Sequence, residues 1–307
     1  MNSRRKFLKK IAGASAAVAL TGLSKDLLAK EDLVSLSIVH TNDIHCHIDP
    51  FPETDPSYAG RGGLARLSAL IKGIRQENDN ILLVDAGDMF QGTPYFNFYK
   101  GELIMKVMTK MGYEASTIGN HEFDNGLEGI EQSLKYAGFP LICSNYDFSQ
   151  TILRNRFPKY RIFNKNGVRV GLYGLGVEMA GLVAEKNYGE TRYLDPVSTA
   201  QKLEAFLKKE RNCDLVVCLS HLGLKYRENK ISDTLLAAET SMTDLIIGGH
   251  THTYLQEPLQ LKNAKGNRII VNQAAWAGLI LGRIDFILDR ARKEESLSLA
   301  RNIVSIS

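Results

Sequence analysis

With 307 residues, 44% of them hydrophobic and 23% charged, the chain can bury a large core and is neither disordered nor fibrous. Four cysteines are too few for a disulfide scaffold. A net charge of +4 hints weakly at an acidic partner, nucleic acid or membrane.

That charge is local. Arg4, Arg5, Lys6, Lys9, Lys10 and Lys25 against Asp26 put +5 on residues 1–29 and leave about −1 for the remainder. Nucleic-acid and membrane partners thereby lose their support. Behind the basic head, Ile11 to Leu23 is apolar but short and rich in Ala and Gly, whereas a membrane span needs ~20 strongly apolar residues. Basic head, apolar run and small residues up to Ala29 make residues 1–29 an export signal. Ser3-Arg4-Arg5-Lys6-Phe7-Leu8-Lys9 closely resembles the twin-arginine signal of bacteria, a receptor-read address. The resemblance implies a protein folded before export to the periplasm or exterior. Folding in a reducing compartment makes structural disulfides unnecessary. Cys213 and Cys218, five apart in a strand-like stretch, are expected as buried small residues on opposite faces.

From Asp32 onward strands and helices alternate. Leu36–His40 reads as a strand. Leu64, Leu67, Ile71 and Ile74 give a helical period over 62–76, and Ile81–Asp85 is a buried strand. Glu102–Met111 is a helix, followed by strands at Glu114–Ile118 and Leu141–Ser144 with a helix at Glu128–Tyr136 between them. Further strands are expected at Arg169–Gly174, Leu215–Ser220 and Leu245–Gly248, with helices at Thr199–Lys209 and Asp233–Thr240. The chain closes on strands Arg268–Asn272 and Leu279–Leu288. This alternation predicts one α/β domain over 30–307, layered, with mixed sheets.

The seven histidines, His40, His45, His47, His121, His221, His250 and His252, all fall at or just beyond the C-terminal end of a predicted strand. Loops leaving that edge converge on one crevice. Carboxylates accompany them in Asp43-Ile-His45, Asp85-Ala-Gly87-Asp88 and Asn120-His121-Glu122-Phe123-Asp124. Ser220-His221 and His250-Thr251-His252 complete the set. Asp43 and His45, one residue apart, point the same way in extended backbone and can share an ion. Mixed carboxylate, amide and imidazole donors suit Zn, Mn or Fe rather than a thiolate cage. The donors are too many for one ion. Two divalent ions ~3.5–4 Å apart, sharing a carboxylate, would use them and form a device for phosphoester hydrolysis.

The five blocks, in this order, closely resemble the calcineurin-like metallophosphoesterases, and most of all their secreted 5′-nucleotidase branch, with its patterns NDxH, DAGDxxQGT, GNHEFDxG, SHLG and GGHxH. Asp43 and His45, Asp85 to Thr93, Gly119 to Gly126, Ser220 to Gly223 and Gly248 to His252 fill them. The resemblance implies a four-layer α-β-β-α metallophosphatase sandwich with a dimetal site at the C-terminal ends of strands. It implies that Asp43, His45, Asp88 and His252 bind one metal, and Asp88, Asn120, His221 and His250 the other, with Asp88 bridging. His121 then resembles the family's non-ligand histidine, which assists the transition state or leaving group, and Asp124 the carboxylate that orients it. His40 is expected to be structural, His47 to stand behind the ligands, Cys46 to be a filler, and Asp85 and Glu122 to hold loop geometry. The implied activity is a metal-dependent phosphomonoesterase, acting on nucleotides by attack of a metal-activated water. Alternatives on the same site are a phosphodiesterase, a nucleotide-sugar pyrophosphatase or a thiosulfohydrolase-like enzyme. The stretch after Leu288 is too short for the C-terminal nucleotide-specificity domain of the long 5′-nucleotidases, so a separate specificity chain is a further expectation.

Overall fold

The computed structural model describes residues 33–289 and 294–304; the expected export signal at 1–29 lies outside them. One sheet runs β12-β11-β1-β2 and the other β4-β5-β7-β8-β10-β9, with a small β3-β6 ribbon beside them. In chain order the first four strands are β1 (Leu33–Thr41), β2 (Ile81–Asp85), β3 (Tyr146–Asp147) and β4 (Tyr160–Lys165). The next four are β5 (Val168–Leu175), β6 (Arg192–Tyr193), β7 (Leu215–Ser220) and β8 (Leu245–Gly248). The last are β9 (Leu259–Lys262), β10 (Arg268–Asn272), β11 (Ile280–Asp289) and β12 (Glu294–Val304). Strands β1 and β2 are parallel, as are β5, β7, β8 and β10, while β4, β9, β11 and β12 pair antiparallel at the flanks.

The side-chain period of two sorts the core into layers. Leu36, Ile38, Leu82 and Val84 face Val170, Leu172, Val217 and Ile247 of the other sheet. Val39, Ile81 and Leu83 point outward onto helices α1 (Leu64–Glu77) and α2 (Glu102–Met111). On the far side Tyr173, Val216, Cys218 and Ile246 pack under α3 (Pro196–Ala205) and α4 (Asp233–Glu239). Helix, sheet, sheet, helix is the expected four-layer α-β-β-α sandwich.

Four sequence expectations change. Glu114–Ile118 and Leu141–Ser144 are not strands but single parallel bridges, Val84 with Ala115 and Ser116 with Leu141, which extend the first sheet by a residue each. Edge strand β4 was missed because its half-exposed Tyr-Arg-Ile-Phe-Asn-Lys lacks a clean apolar face. The hairpin signal was present in Asn166-Gly167, both at positive φ. Helix α3 starts earlier than expected, because Asp195 caps it through the Ser198 N–H at 2.7 Å, and it ends in a π-turn at Phe206–Glu210. Cys213 and Cys218 lie on the same side, both in the outer cluster: Cys213 precedes β7, so strand alternation does not govern it. All four cysteines are buried and unpaired. Among the described residues no helix is long and apolar enough to cross a membrane.

Candidate metal centre

Five loops leave the C-terminal ends of β1, β2, β7 and β8 and the Ala115–Ser116 bridge, and they meet at one point. The turns are sharp. Asp43, His45, Asp88, His250 and His252 all hold φ between 50° and 72°, where a non-glycine residue is strained unless its surroundings fix it. Asp43 and His45 therefore share the site through left-handed turns, not the extended backbone expected from their spacing. Gly119 allows two of the loops to touch: a Cβ there would lie 2.2 Å from Asp88 Oδ1.

The side chains expected as ligands converge. His45 Nε2 is 3.0 Å from His252 Nε2, and His252 Nε2 is 3.4 Å from Asp43 Oδ1. His221 Nε2 is 3.0 Å from Asp88 Oδ2, and His250 Nδ1 is 2.8 Å from Asn120 Oδ1. Asp88 Oδ2 also faces His45 Nε2 at 3.9 Å, which places Asp88 between the two halves. Three triads have donor atoms within 4.8 Å of one another: Asp43, His45 and His252; His45, Asp88 and His121; Asp88, His221 and His250. His121 is thus close enough to coordinate, although the sequence reading gave it another role.

The donor set fits cations. His221 donates from Nδ1 to the Ala86 carbonyl at 2.7 Å, so Nε2 is the atom aimed into the site. It is buried and makes no hydrogen bond, although the Asp88 carboxylate is adjacent. His45 is oriented likewise, Nδ1 on the Phe90 carbonyl at 3.1 Å and Nε2 inward. Such backbone anchoring of one ring nitrogen is the usual way of presenting the other to a metal. The electrostatics agree. Burial alone would lower the His221 pKa, but Asp88 beside it overrides this and raises it to about 10. Burial would push the Asp88 carboxyl up, yet His221, His45 and His121 hold it well below the ordinary carboxylate range. The pocket of carboxylates demands positive charge at this spot, which a proton or an ion can supply. Burial, followed by the His221 charge, lowers the His250 pKa to about 4, keeping that imidazole neutral and able to coordinate.

The calcineurin-like phosphoesterase family model matches residues 36–254, which carry every one of these side chains. The chain belongs to the calcineurin-like phosphoesterases. It is similar to a snake venom 5′-nucleotidase of Gloydius brevicauda, 32% identical over 275 residues, covering 83% of this chain and 45% of that protein. Its fold superposes on a 5′-nucleotidase precursor from Thermus thermophilus with a TM-score of 0.79 and 34% identity, covering 88% of this chain and 54% of the other. The NAD nucleotidase of Haemophilus influenzae follows at 0.75 and 26%, with 89% and 50% covered. The chain spans about half the length of the curated relatives it matches. Calcineurin-like phosphoesterases use a dimetal centre.

In this calcineurin-like phosphoesterase, His121 and Asp124 sit on the open side of the centre, Nδ1 to Oδ2 at 2.8 Å and each about one-third exposed. Burial lowers the His121 pKa less than Asp124 and Asp88 raise it, so the net shift is upward. Glu122, fully buried between them, accepts from the N–H groups of Asp88, Met89, Phe90 and Gly119 at 2.7–3.1 Å. One carboxylate therefore clamps the Asp88 loop to the Asn120 loop. Burial, with Asp88 nearby, pushes its pKa to about 7. Glu122→Ala orphans four buried donors and is expected to cost about 3 kcal/mol in chemical denaturation of the metal-free protein. A loss under 0.5 kcal/mol would mean that the loops hold without the clamp.

The remaining residues sort as follows. His40 is buried, its Nε2 on Asn272 Nδ2 at 2.8 Å, and burial drops its pKa to about 3. Cys46 is a buried filler whose thiol burial pushes up to about 12. His47 packs among rings, 4.8 Å from Phe51 and 5.2 Å from Trp276, with its Nδ1 3.1 Å from the His45 carbonyl. Asp85 accepts from Thr41 and Ser116 side chains and the Gly87 N–H, as expected of a loop holder. Sequence reasoning missed Trp276, which stacks on His252 at 5.3 Å and 7°, and Asn42, which donates to Asp43 at 2.5 Å. It also missed the Asp233–Gln273 pair under the His250 loop, where Gln273 donates to the Gly249 carbonyl at 2.7 Å. Gln273 and Trp276 follow the end of β10, so the strand-end rule that found the histidines applies to them too.

Proposed function

We propose that this domain is a dimetal phosphomonoesterase releasing phosphate from nucleoside 5′-monophosphates. The observation that carries the reading is the convergence of Asp43, His45, Asp88, Asn120, His221, His250 and His252, with the His121–Asp124 pair at the open side. In this reading Asp43, His45, Asp88 and His252 hold one ion, and Asp88, Asn120, His221 and His250 the other. Zn, Mn or Fe suits the oxygen and imidazole donors. Bound there, two divalent ions supply a nucleophilic water and offset charge on the phosphoryl oxygens. The chain's own residues do the rest. Asp124 fixes the ring of His121, and His121 delivers a proton to the leaving oxygen or stabilises the charge developing near it. The nucleotide preference is supported by the 5′-nucleotidase relatives of the matched half. A nucleotide pyrophosphate is the second reading, favoured by the likeness to the NAD nucleotidase.

Residues 30–307 act, in this proposal, as one catalytic domain exported on the twin-arginine signal of residues 1–29. The test is turnover of AMP, NAD and UDP-glucose by the isolated chain, loaded in turn with Zn, Mn or Fe and then treated with a chelator. AMP hydrolysis abolished by chelation and restored by metal is the expected result. Faster release from NAD selects the second reading, and activity that appears only with a second protein selects a separate specificity chain. Turnover that survives complete metal removal rejects the dimetal reading.

A further inference from the structure

Beside the metal centre the surface opens into a pocket of about 870 Å³, within the usual size range for small-molecule sites. Its two walls are continuations of two site loops. One runs on from His45 through His47 and Asp49 to Phe51; the other runs on from Asp88 and supplies Tyr95, Phe98 and Tyr99. The walls are tied at the base, where the Thr93 hydroxyl donates to the Cys46 carbonyl at 2.8 Å. A chain of rings joins pocket to centre: Trp276 stacks on His252 at 5.3 Å and meets His47 at 5.2 Å.

The lining chemistry is selective. It contains no Lys or Arg, so it presents no permanent positive charge to a phosphate. It is rich in rings, and Phe98 stands 80% exposed and Tyr99 51% exposed, adjacent apolar surface of the kind found at ligand grooves. The charged group in the lining is Asp49, whose Oδ2 accepts from the Tyr95 hydroxyl at 2.6 Å. A carboxylate among ring faces is suited to an aromatic ligand that carries N–H donors.

We propose that this pocket is a nucleobase subsite, taking a purine with an exocyclic amine from a nucleotide whose phosphate lies at the metal centre. The proposal rests on the nucleotidase reading above and adds to it a base site within the catalytic domain itself. The base stacks against Phe98 and Tyr99, and its amine donates to Asp49.

Trp276, the one tryptophan of the chain, lies against His47 and Phe51 at the pocket's edge and serves as a reporter. Adenosine, which has no phosphate, is expected to change its fluorescence saturably in the full chain, and Phe98→Ala to weaken that binding about tenfold, as loss of one base-stacking partner does. In steady-state kinetics of the metal-loaded chain, Phe98→Ala should raise KM for AMP. The AMP to ribose 5-phosphate ratio of kcat/KM should fall about tenfold. Asp49→Asn should reduce the preference for AMP over IMP, which lacks the amine. Equal losses on AMP and ribose 5-phosphate, or adenosine binding indifferent to Phe98→Ala, overturn the subsite. Adenosine binding that is sensitive to Phe98→Ala, without turnover of any nucleotide, keeps the subsite and overturns the nucleotidase reading instead.

Discussion

Asp88→Asn is expected to remove bound metal and phosphomonoesterase activity together, with a loss of at least about 10³-fold in kcat. Asp88 stands between the two halves of the centre, its Oδ2 3.0 Å from His221 and 3.9 Å from His45. Its other oxygen accepts the His121 N–H at 2.8 Å, which sets the carboxylate's orientation. Asparagine preserves the shape and can keep that backbone contact through its amide oxygen. What it deletes is the negative charge that draws a cation to this spot, and it puts an NH₂ group, which cannot ligate a metal, where a carboxylate oxygen faces His221. An ion's stabilisation of phosphoryl transfer is worth several kcal/mol, and each 1.4 kcal/mol is tenfold in rate. Elemental analysis beside turnover checks the result. Full metal content with robust hydrolysis would reject Asp88 as the shared ligand. Retained far-UV circular dichroism separates loss of metal from loss of fold, because the Glu122 clamp on the same loop is untouched.

His121→Asn separates chemistry from metal binding. Metal content should stay at the wild-type level while kcat falls about 10²- to 10⁴-fold, the range for loss of a positioned proton donor. The ring is held by Asp124 at 2.8 Å and lies 5.1 Å from the ring of His45, at the open side of the centre. Its donor atom comes within coordination reach of His45 and Asp88, so the competing outcome is specific. If the variant loses an ion in elemental analysis, His121 is a ligand and its assignment as proton donor fails. Unchanged kcat would remove it from the chemistry altogether.

How far these side chains could be read in advance depends on what carries the information. Donor chemistry is a property of residue type, and its location follows from a local pattern: a run of apolar residues that ends in Asp, His or Asn. For that reason Asp43, Asp88, Asn120, His221 and His250 could be named from the chain before any contact between them was known. The helix of α1 was equally local, with Leu64, Leu67, Ile71 and Ile74 on its buried face. Where tertiary neighbours set the backbone, local reasoning went astray. Asp43 and His45 were expected in extended backbone, yet both sit at φ near 50° because Asp43 hydrogen-bonds to the Gly87 and Ala277 backbones across the site. Residues 114–118 looked like a strand, but they make only two isolated bridges, Ala115 to Val84 and Ser116 to Leu141, rather than a ladder.

The sequence by itself determined the layered α/β class and the donor types, because period-two and period-3.6 burial and the chemistry of carboxylate and imidazole are written residue by residue. The tertiary structure alone decided which atoms meet. His45 and His252 are 207 positions apart and lie nitrogen to nitrogen at 3.0 Å. Trp276 becomes part of the site only because the turn after β10 lays it flat on His252. The pocket beyond it exists because two loops from neighbouring strands run on side by side. Such contacts depend on how separate strands are ordered and packed, and no local periodicity encodes that.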